Sequence, residues 1–509
     1  MSVGGEFVSS NKIDLPINIP KHKHICQVRA ITQDMHTISN QNQSVVSSPN
    51  KILNSSCNDI YKQISIDPQN YMDRGLYSKF EKLHAKYNTV FDSHLPGYNG
   101  AFGPNEAVVN MGPTLPPQRK GRLPLYKKDD LDTLQSKFDE LESLGVLATP
   151  EEAGVHVEYL NPSFLVKKSR GGHRLVTSFG DVGRYAKPQP ALMSNMENTL
   201  YEIGQWKYII CTDLSKAFYQ IVLSQSSRKY CGVVTPFRGV RVYCRAAMGM
   251  PGSEAALEEL MCKVVGKYIQ QGVAAKIADN LYVGGSTPEE LLQNWENVLQ
   301  ALSDSNLKLS PNQTVINPHE VSILGWVWNN GTLRASSHKV SALATCDIPK
   351  TVRQLRSYIG AYKVLSRVIK HSSQYLDKLE AMTANNKSSD ILQWTDSLLA
   401  EFSKAQKSLS TNKVIKIPRR NEQLWIVPDG AQRCPGPGIA ATLYSTDDIN
   451  GQCKPQLAGF FSAKLKSNQS QWQPCEIEGL AIACAVNHWS PYIIQSMCSN
   501  RYQTLLSGP

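Results

Sequence analysis

The chain has 509 residues, of which 41% are hydrophobic, and it carries a formal net charge of +11 at pH 7. This length exceeds what one compact core supports, so several domains are expected. No apolar run approaches a membrane span, and the twelve cysteines form no CxxC pair, which argues against a zinc knuckle or a regular disulfide framework. We therefore expect a soluble protein of a reducing, intracellular compartment. The basic balance suits a polyanionic partner but is also common in proteins that never bind nucleic acid.

The first part of the chain contains little apolar sequence. Residues 1–70 are rich in Ser, Asn, Gln and Lys, a composition typical of a disordered segment or a linker. Residues 71–120 end in the Pro-rich, basic run Pro113–Lys120. We interpret residues 71–120 as a connector that enters the first folded domain with an extended backbone.

A helix and a basic hairpin are predicted next. Apolar residues recur at helical spacing over residues 131–144, and Gly145 is a suitable helix stop. Further on, Lys167 and Arg174 lie in two short runs joined across Gly171–Gly172, which predicts a hairpin. The positive charges of this hairpin are explained equally well by a solvated tip and by an anionic ligand.

Two acidic residues are placed in apolar, strand-like sequence. The run Tyr208–Cys211 predicts a buried strand that leads into Asp213, and residues 276–285 predict a hairpin whose tight turn exposes Asp279 and Asn280. A single Asp at a strand end is more often a turn residue or a helix N-cap. Two carboxylates side by side repel each other unless a divalent cation lies between them, and such oxygen ligands suit Mg²⁺.

The second half alternates between helical and strand-like sequence. Residues 291–302 have the apolar spacing of a helix, residues 323–328 predict a hairpin strand with its two Trp on one side, and residues 336–413 are helical in pattern. An alternation of strand and turn patterns returns from Leu424, and this part of the chain contains Asp429 and Glu478.

The order of these motifs resembles the reverse transcriptases of gypsy-type LTR retrotransposon Pol polyproteins, from about Phe91 to the C-terminus. The resemblance implies an α+β multidomain fold, with a right-hand fingers-palm-thumb polymerase module followed by a partial ribonuclease H-like α/β domain. The domains expected on this basis are fingers and palm over 121–335, thumb and connection over 336–420, and the ribonuclease H-like domain over 421–509. The motifs that carry the resemblance are Asp213–Ile221, Met248–Ser253, Ile277–Asn280 and Ile323–Trp326.

The resemblance also implies roles for individual residues. Asp213 and Asp279 match the metal-binding acids, and Asn280 stands where the family has the second Asp of its catalytic pair. Lys167 and Arg174 match the residues that hold the incoming triphosphate. Phe218 matches the aromatic residue beneath the nucleotide sugar, although a plain core Phe is an equal alternative.

Several positions depart from the family pattern. Gln313 replaces a Lys that is thought to protonate the leaving pyrophosphate, unless Lys308 substitutes for it. Asp429 and Glu478 match two ribonuclease H carboxylates, but no Asp follows Asp448 for the third. We expect a truncated ribonuclease H domain without activity, in a diverged copy of the element.

The leading hypothesis is an RNA-directed DNA polymerase that extends a primer with two Mg²⁺ ions, or Mn²⁺ in their place. Its partners would be an RNA or DNA template-primer and deoxynucleoside triphosphates, with no membrane. We expect it in the cytoplasm or in element particles, with access to the nucleus, and the oligomeric state is left open. The alternative is a catalytically inactive nucleic-acid-binding remnant of a retroelement.

Overall fold

The computed structural model describes residues 60–92, 97–117, 124–168, 171–190, 196–431, 437–447, 454–466, 468–469 and 471–496. Residues 1–59, which make up most of the segment 1–70 predicted to be disordered or a linker, lie outside these ranges, as do residues 497–509. Contacts divide the described chain into two compact units. The N-terminal unit comprises residues 60–202 and 206–318, and the C-terminal unit comprises residues 203–205 and 319–496.

The elements over residues 60–318 are short strands and mostly amphipathic helices. The strands are β1 (Ser65–Ile66), β2 (Glu106–Ala107), β3 (Leu147–Ala148), β4 (Leu160–Asn161), β5 (Ser163–Lys167), β6 (His173–Thr177), β7 (Tyr208–Asp213), β8 (Val222–Leu223), β9 (Gly232–Thr235), β10 (Gly239–Tyr243), β11 (Ala274–Ile277), β12 (Asn280–Gly285) and β13 (Val315–Ile316). The helices are α1 (Arg74–Lys86), α2 (Lys128–Ser143), α3 (Gly180–Tyr185), α4 (Met196–Gly204), α5 (Gln225–Arg228), α6 (Ser253–Gln270) and α7 (Pro288–Asp304).

A five-stranded sheet with the order β1-β13-β7-β12-β11 forms the centre of the N-terminal unit. Strands β7, β12 and β11 are antiparallel neighbours, and β7 pairs with β12 so that Asp213 lies opposite Asn280. The core face of this sheet carries Leu281 and Val283, which belong to the same buried cluster as Leu257 of α6 and Trp295 of α7. The sheet therefore has one face packed on helices.

Helix α7 shows why its sequence folds as predicted from apolar spacing. The Thr287 hydroxyl accepts a hydrogen bond from the Glu290 amide as an N-cap, and Pro288 occupies the first helical turn. Its apolar stripe, which includes Trp295, is buried. The helix predicted over residues 131–144 is also confirmed as α2, which ends before Gly145, a residue with a φ of +66°.

Part of the segment interpreted as linker and connector is folded. Strand β1 pairs in parallel with β13, and α1 buries Phe80 and Leu83 in the core of the N-terminal unit. Asp73 caps α1 by accepting a hydrogen bond from the Gly75 amide. The spacing of Phe80 and Leu83 is a helical i, i+3 pair, a signal too short to stand out in a polar segment.

The C-terminal unit contains two sheets and several helices. Its strands are β14 (Val321–Ile323), β15 (Trp326–Asn329), β16 (Thr332–Ala335), β17 (Ile415–Lys416), β18 (Gln423–Ala431), β19 (Gly438–Thr446) and β20 (Gln456–Lys464). Its helices are α8 (Ser337–Ala344), α9 (Val352–Val364), α10 (Ser372–Ala381), α11 (Asp396–Ser408), α12 (Pro474–His488) and α13 (Ser490–Gln495). No helix in the described part of the chain is both long and apolar enough to cross a membrane.

The two sheets of the C-terminal unit are both antiparallel. One has the order β14-β15-β16-β17 and the other the order β18-β19-β20. Trp326 and Trp328 of β15 are both buried and lie on one side of the strand, as predicted. Strand β20 contacts α10 through Lys464, whose ammonium lies 2.6 Å from an Asp377 oxygen and 2.9 Å from a Glu380 oxygen.

Gly284 of β12 lies against the Trp206 side chain, and a substitution at Gly284 tests this packing. A Cβ at Gly284 would overlap the indole ring of Trp206, which is held by a 2.7 Å hydrogen bond from its Nε1 to the Gly272 carbonyl. We expect Gly284→Ala to lower the free energy of unfolding by about 1–3 kcal/mol, because the ring has to shift. Denaturant unfolding followed by far-UV circular dichroism measures this.

Gly266 of α6 is the matched control for the same substitution. A Cβ there meets nothing within 4 Å, and the residue lies inside a helix. Gly266→Ala should raise the free energy of unfolding by about 0.5–1 kcal/mol, since alanine loses less conformational entropy in a helix. Equal effects of the two substitutions would contradict this description of the packing.

Candidate active site

Asp213 and Asp279 lie side by side at the ends of adjacent strands. Asp213 is the last residue of β7, and Asp279 lies in the two-residue turn Ala278–Asp279 between β11 and β12. The backbone amide of Leu214 donates a 3.2 Å hydrogen bond to the carbonyl of Asp279. Ala278 has a φ of 55° and Asp279 does not have a positive φ, as in a type II′ turn. The structure thus brings together the two acids that the sequence singled out.

The proximity of the two carboxylates changes the protonation of Asp213. Burial raises the pKa of Asp213 to about 8, and the negative charge of Asp279 adds to the rise, while the hydrogen bond from the Leu214 amide opposes it. A carboxyl group with this pKa is largely protonated at neutral pH unless a cation binds beside it. The site is therefore short of positive charge.

Asn280 is placed on the same face of the sheet as Asp213. The two residues are directly opposite each other in the β7–β12 ladder, and such side chains project together with Cβ atoms about 4.5–5.5 Å apart. Asn280 is half-buried. Its amide can offer a neutral oxygen beside the two carboxylates, but no negative charge.

The basic hairpin that carries Lys167 and Arg174 is formed by β5 and β6, as predicted, with Gly171 and Gly172 both at positive φ in its turn. Lys167 lies opposite His173, whereas Arg174 lies opposite Val166. Because neighbouring residues alternate between faces, Lys167 and Arg174 leave the hairpin on opposite faces. The sequence did not distinguish their directions.

Arg174 is close to the loop that follows Asp213. Burial raises the pKa of Tyr219 to about 12, the Glu140 carboxylate adds to the rise, and the Arg174 guanidinium opposes it. Phe218, the neighbour of Tyr219, is half-buried and packs against the core of the N-terminal unit. Arg174 and Phe218 thus lie near the same loop.

Gln220 fixes this loop, a role that the sequence analysis did not find. Its buried Nε2 donates to the carbonyls of Ser215 and Lys308 at 2.6 and 3.0 Å, and its Oε1 accepts from the Lys308 amide at 2.7 Å. One carboxamide therefore ties the segment after Asp213 to the strand-like segment around Leu309. A buried Gln in an apolar run is the only sequence signal for it.

Lys308 does not take the place of the Lys that Gln313 replaces. The Lys308 ammonium donates a 2.7 Å hydrogen bond to the Thr89 carbonyl, and burial lowers its pKa. Its side chain is therefore committed to the backbone of the segment before residue 92. Gln313 is exposed at the end of a short 3-10 turn.

A buried ion pair lies behind the hairpin of β11 and β12 that carries Asp279. The Nζ of Lys276 in β11 is 2.5 Å from an Oε2 of Glu258 in α6, and the two residues are only 4% and 7% exposed. The sequence analysis gave neither residue a role. The signal was a lysine inside the apolar run Ala274–Ile277, where a charged side chain requires a partner.

Two of the three basic residues of α9, Arg356 and Lys363, are bound to protein groups. Arg356 donates 2.8 Å hydrogen bonds to the carbonyls of Thr383 and Asn386, and Lys363 forms a 2.6 Å ion pair with Glu380. These contacts brace the helices of the C-terminal unit.

Asp429 and Glu478 occupy the predicted strand and helix of the ribonuclease H-like region. Asp429 is exposed on β18, and its neighbour Gly430 faces α12, where an added Cβ would stand 3.0 Å from Ile477 and 3.3 Å from the Glu478 amide. Asp429 lies opposite Ala440, which puts it on the other face of the sheet. Among the described residues, no three side chains of His, Cys, Asp or Glu are grouped to hold a metal.

Two parts of the chain match known families. Residues 172–328 match the reverse transcriptase (RNA-dependent DNA polymerase) family, and residues 394–499 match the RNase H-like domain found in reverse transcriptase. The chain therefore carries a reverse transcriptase domain followed by a ribonuclease H-like domain.

The curated relatives are retroelement polyproteins. The chain is 23% identical over 342 residues to the retrovirus-related Pol polyprotein from transposon 412 of Drosophila melanogaster, covering 66% of the chain and 27% of that protein. It is 21% identical over 332 residues to the transposon Tf2-7 polyprotein of Schizosaccharomyces pombe, covering 65% of the chain and 24% of that protein. The matches therefore span about a quarter of these relatives' length.

Solved structures of the foamy viral protease-reverse transcriptase share the fold. One, in complex with double-stranded DNA, has a TM-score of 0.70 at 15% identity and covers 91% of this chain and all of that one. A second, also with double-stranded DNA, has a TM-score of 0.70 at 16% identity and covers 87% of this chain and 74% of that one. The predicted fold class, a polymerase module followed by a ribonuclease H-like domain, is confirmed.

The raised pKa of Asp213 makes a prediction about stability without metal. Because the folded protein keeps a proton on Asp213 up to about pH 8 and the unfolded chain loses it near the ordinary value of 3.8, stability falls as pH rises through this window. Asp213→Asn removes the effect. In EDTA, the variant should gain thermal stability relative to the parent between pH 5 and pH 8.5.

The measurement is the melting temperature of the variant minus that of the parent at each pH. The other titrating groups are the same in both proteins, so their effects cancel in this difference. Asp67→Asn is a matched control, since Asp67 is a buried acid whose Oδ atoms bind the Met72 amide and the Asn317 side chain away from the turn. A stability difference for Asp213→Asn that does not change with pH would show that Asp213 ionises normally.

Proposed function

We propose that this chain is the RNA-directed DNA polymerase part of a gypsy-type LTR retrotransposon Pol polyprotein. The observation that carries the proposal is the placement of Asp213 and Asp279 on adjacent strands, joined by the hydrogen bond from the Leu214 amide to the Asp279 carbonyl. The match of residues 172–328 to the reverse transcriptase family supports it. Its partners would be an RNA or DNA template-primer and deoxynucleoside triphosphates.

The donor set fits a hard divalent cation. Burial, and then the charge of Asp279, raise the pKa of Asp213, so this pair of carboxylates gains from a bound positive charge, and the Asn280 amide can add a third oxygen. We infer that Asp213 and Asp279 hold Mg²⁺, as two ions together with substrate phosphates, with Mn²⁺ able to replace it. When bound, such ions neutralise charge on the attacking and leaving oxygens of a phosphoryl transfer.

The chain's own residues orient the reactants around these carboxylates. The primer 3′-hydroxyl is the nucleophile, and the α-phosphate of the incoming nucleotide is attacked in line. Arg174, on the face of the fingers hairpin near Tyr219, supplies a forked donor to the triphosphate. Lys167 reaches the phosphates only around the edge of the hairpin, and Phe218 packs beneath the sugar.

The residue at position 313 cannot donate the proton that the leaving pyrophosphate takes up. Gln313 cannot act as a general acid, and the Lys308 ammonium is bound to the Thr89 carbonyl. We propose that solvent supplies this proton. The step would then be slower than in an enzyme with a positioned acid, but it would not be abolished.

Primer extension tests the proposed function directly. With Mg²⁺, the protein should extend a primer slowly on an RNA template, and Asp213→Ala or Asp279→Ala should remove extension because each takes away a charged metal ligand. Asn280→Asp should raise the rate and lower the Mg²⁺ concentration needed, since it adds a negative charge beside Asp213. Single-nucleotide incorporation over a Mg²⁺ series, repeated with Mn²⁺, measures both effects.

Asn297→Asp is a matched control, because it makes the same change on α7 of the same unit, where the side-chain oxygen already accepts a hydrogen bond from Gln293. If Asn280→Asp changes neither rate nor metal dependence in an active protein, Asn280 does not face the metal. Extension that survives Asp279→Ala would rule out the proposed site.

Asn280 and Gln313 favour a second candidate function. Each replaces a charged residue of the family pattern, and together they fit a nucleic-acid-binding remnant without catalysis. A remnant would bind template-primer duplex with an affinity that falls steeply with salt, and would not extend it. Duplex binding without extension in either metal, including in the Asn280→Asp variant, would select this alternative.

For the ribonuclease H-like domain we propose that the 509-residue chain does not cleave RNA in a hybrid. Asp429 and Glu478 supply two carboxylates, and no acidic residue follows Glu478 in the sequence. Two carboxylates leave a metal pair with too few anionic ligands. A labelled RNA/DNA hybrid incubated with Mg²⁺ or Mn²⁺ should stay intact, and cleavage that Glu478→Ala abolishes would refute the proposal, with Glu476→Ala as the neighbouring control.

A further inference from the structure

The ion pair between Glu258 and Lys276 lies directly behind the catalytic turn. Lys276 faces Leu281 in the β11–β12 ladder, and the next pair toward the turn is Ile277 with Asn280. Because faces alternate along a strand, Lys276 and Leu281 project to the core face, and Asn280 and Asp213 project to the other. The ion pair and the Asp213 side chain therefore occupy opposite faces of the same sheet.

A buried ion pair adds little net stability when it joins a strand to a helix. Removing both charges from water costs free energy that their attraction does not always return, and well-packed apolar side chains of similar size often stabilise as well or better. A buried pair does, however, fix one geometry, because the strand cannot shift without separating the charges. The buried pair here therefore favours a role in fixing the position of β11 over a role in raising the free energy of unfolding.

Strand β11 has few other restraints. Within the described residues it is an edge strand of the central sheet, paired only with β12. Its buried side chains before Lys276 are Ala274 and Ala275, which offer little apolar surface for anchoring. Asp279 follows Ile277 by two residues, so a slip of β11 would move the Asp279 carboxylate relative to Asp213.

We propose that Glu258 and Lys276 are positioning residues for the catalytic turn. Their ion pair holds β11 against α6, so that the Asp279 carboxylate stays beside Asp213 despite the repulsion between the two. Neither residue touches the substrate. This inference rests on the proposed function as far as activity is concerned, but the metal affinity of the two carboxylates tests it separately.

The test compares Glu258→Gln, Lys276→Gln and the double variant with the parent. The control is Glu259→Gln, the same change one residue along α6, in an exposed 2.6 Å pair with Lys263. Single-nucleotide incorporation gives kcat and KM for the nucleotide. Electron paramagnetic resonance of free Mn²⁺ gives the Mn²⁺ affinity on a primer-template without a 3′-hydroxyl, with an Asp213→Asn/Asp279→Asn variant as the blank for other Mn²⁺ sites.

Each single variant should lower kcat by about 100-fold with KM little changed, because the misplaced group is a metal ligand and not a nucleotide contact. Mn²⁺ affinity should fall by about tenfold, the usual effect of losing a partner behind the ligands. The double variant should recover most of both losses, since two amides can hydrogen-bond without leaving a buried charge unpaired. Glu259→Gln should match the parent.

Thermal unfolding of every variant separates positioning from folding, and all measurements are made well below the lowest melting temperature. Single variants that melt earlier but keep the parent's Mn²⁺ affinity and kcat would overturn the proposal, as would a double variant no better than the worse single one. If the parent binds Mn²⁺ at this site without extending primers, only the polymerase function is overturned. The Mn²⁺ affinities of the variants then decide whether Glu258 and Lys276 position the turn. A parent that neither extends nor binds Mn²⁺ there overturns both.

Discussion

The repulsion between Asp213 and Asp279 is the constraint on which the rest of the N-terminal unit depends. Two neighbouring carboxylates in a half-buried site favour separation or protonation, and the pKa of Asp213 is raised by burial first and by the charge of Asp279 second. Backbone hydrogen bonds hold the two residues together despite this repulsion. They are the β7–β12 ladder, the bond from the Leu214 amide to the Asp279 carbonyl, and a 2.8 Å bond from the Ser310 amide to the Asp213 carbonyl. The sheet thus stores an unfavourable charge arrangement that a cation would relieve.

The local parts of this arrangement can be predicted from sequence. The apolar run before Asp213 and the β-favouring residues around Asp279 predict a strand and a hairpin, because strand propensity and turn chemistry are local properties. What brings the two together is the pairing of β7 with β12 across more than sixty residues, which is set by packing on α6 and α7. No spacing rule gives that register, and only the resemblance of the motif order anticipated it.

The residues that sequence reasoning missed act through long-range contacts between ordinary residue types. Gln220 and Lys308 meet through hydrogen bonds across 88 positions, and Glu258 meets Lys276 between a helix and a strand. A lysine near the catalytic turn looks like a candidate acid or phosphate ligand when its partner is unknown. Lys308 is an example, because it was considered as a substitute general acid, whereas its ammonium donates a hydrogen bond to the Thr89 carbonyl.

In the ribonuclease H-like region, the two matched carboxylates are carried by different elements, Asp429 by β18 and Glu478 by α12. Gly430 faces α12 and is close to the Glu478 amide, while Asp429 shares its face with Ala440 and, across β19, with Ser462. Ser462 accepts a 3.0 Å hydrogen bond from the Ser373 amide in the first turn of α10. The face that carries Asp429 is thus fastened to a helix of the same unit, whereas the face toward Glu478 is closed by Ile477. The Asp429 side chain therefore projects away from the helix that carries Glu478.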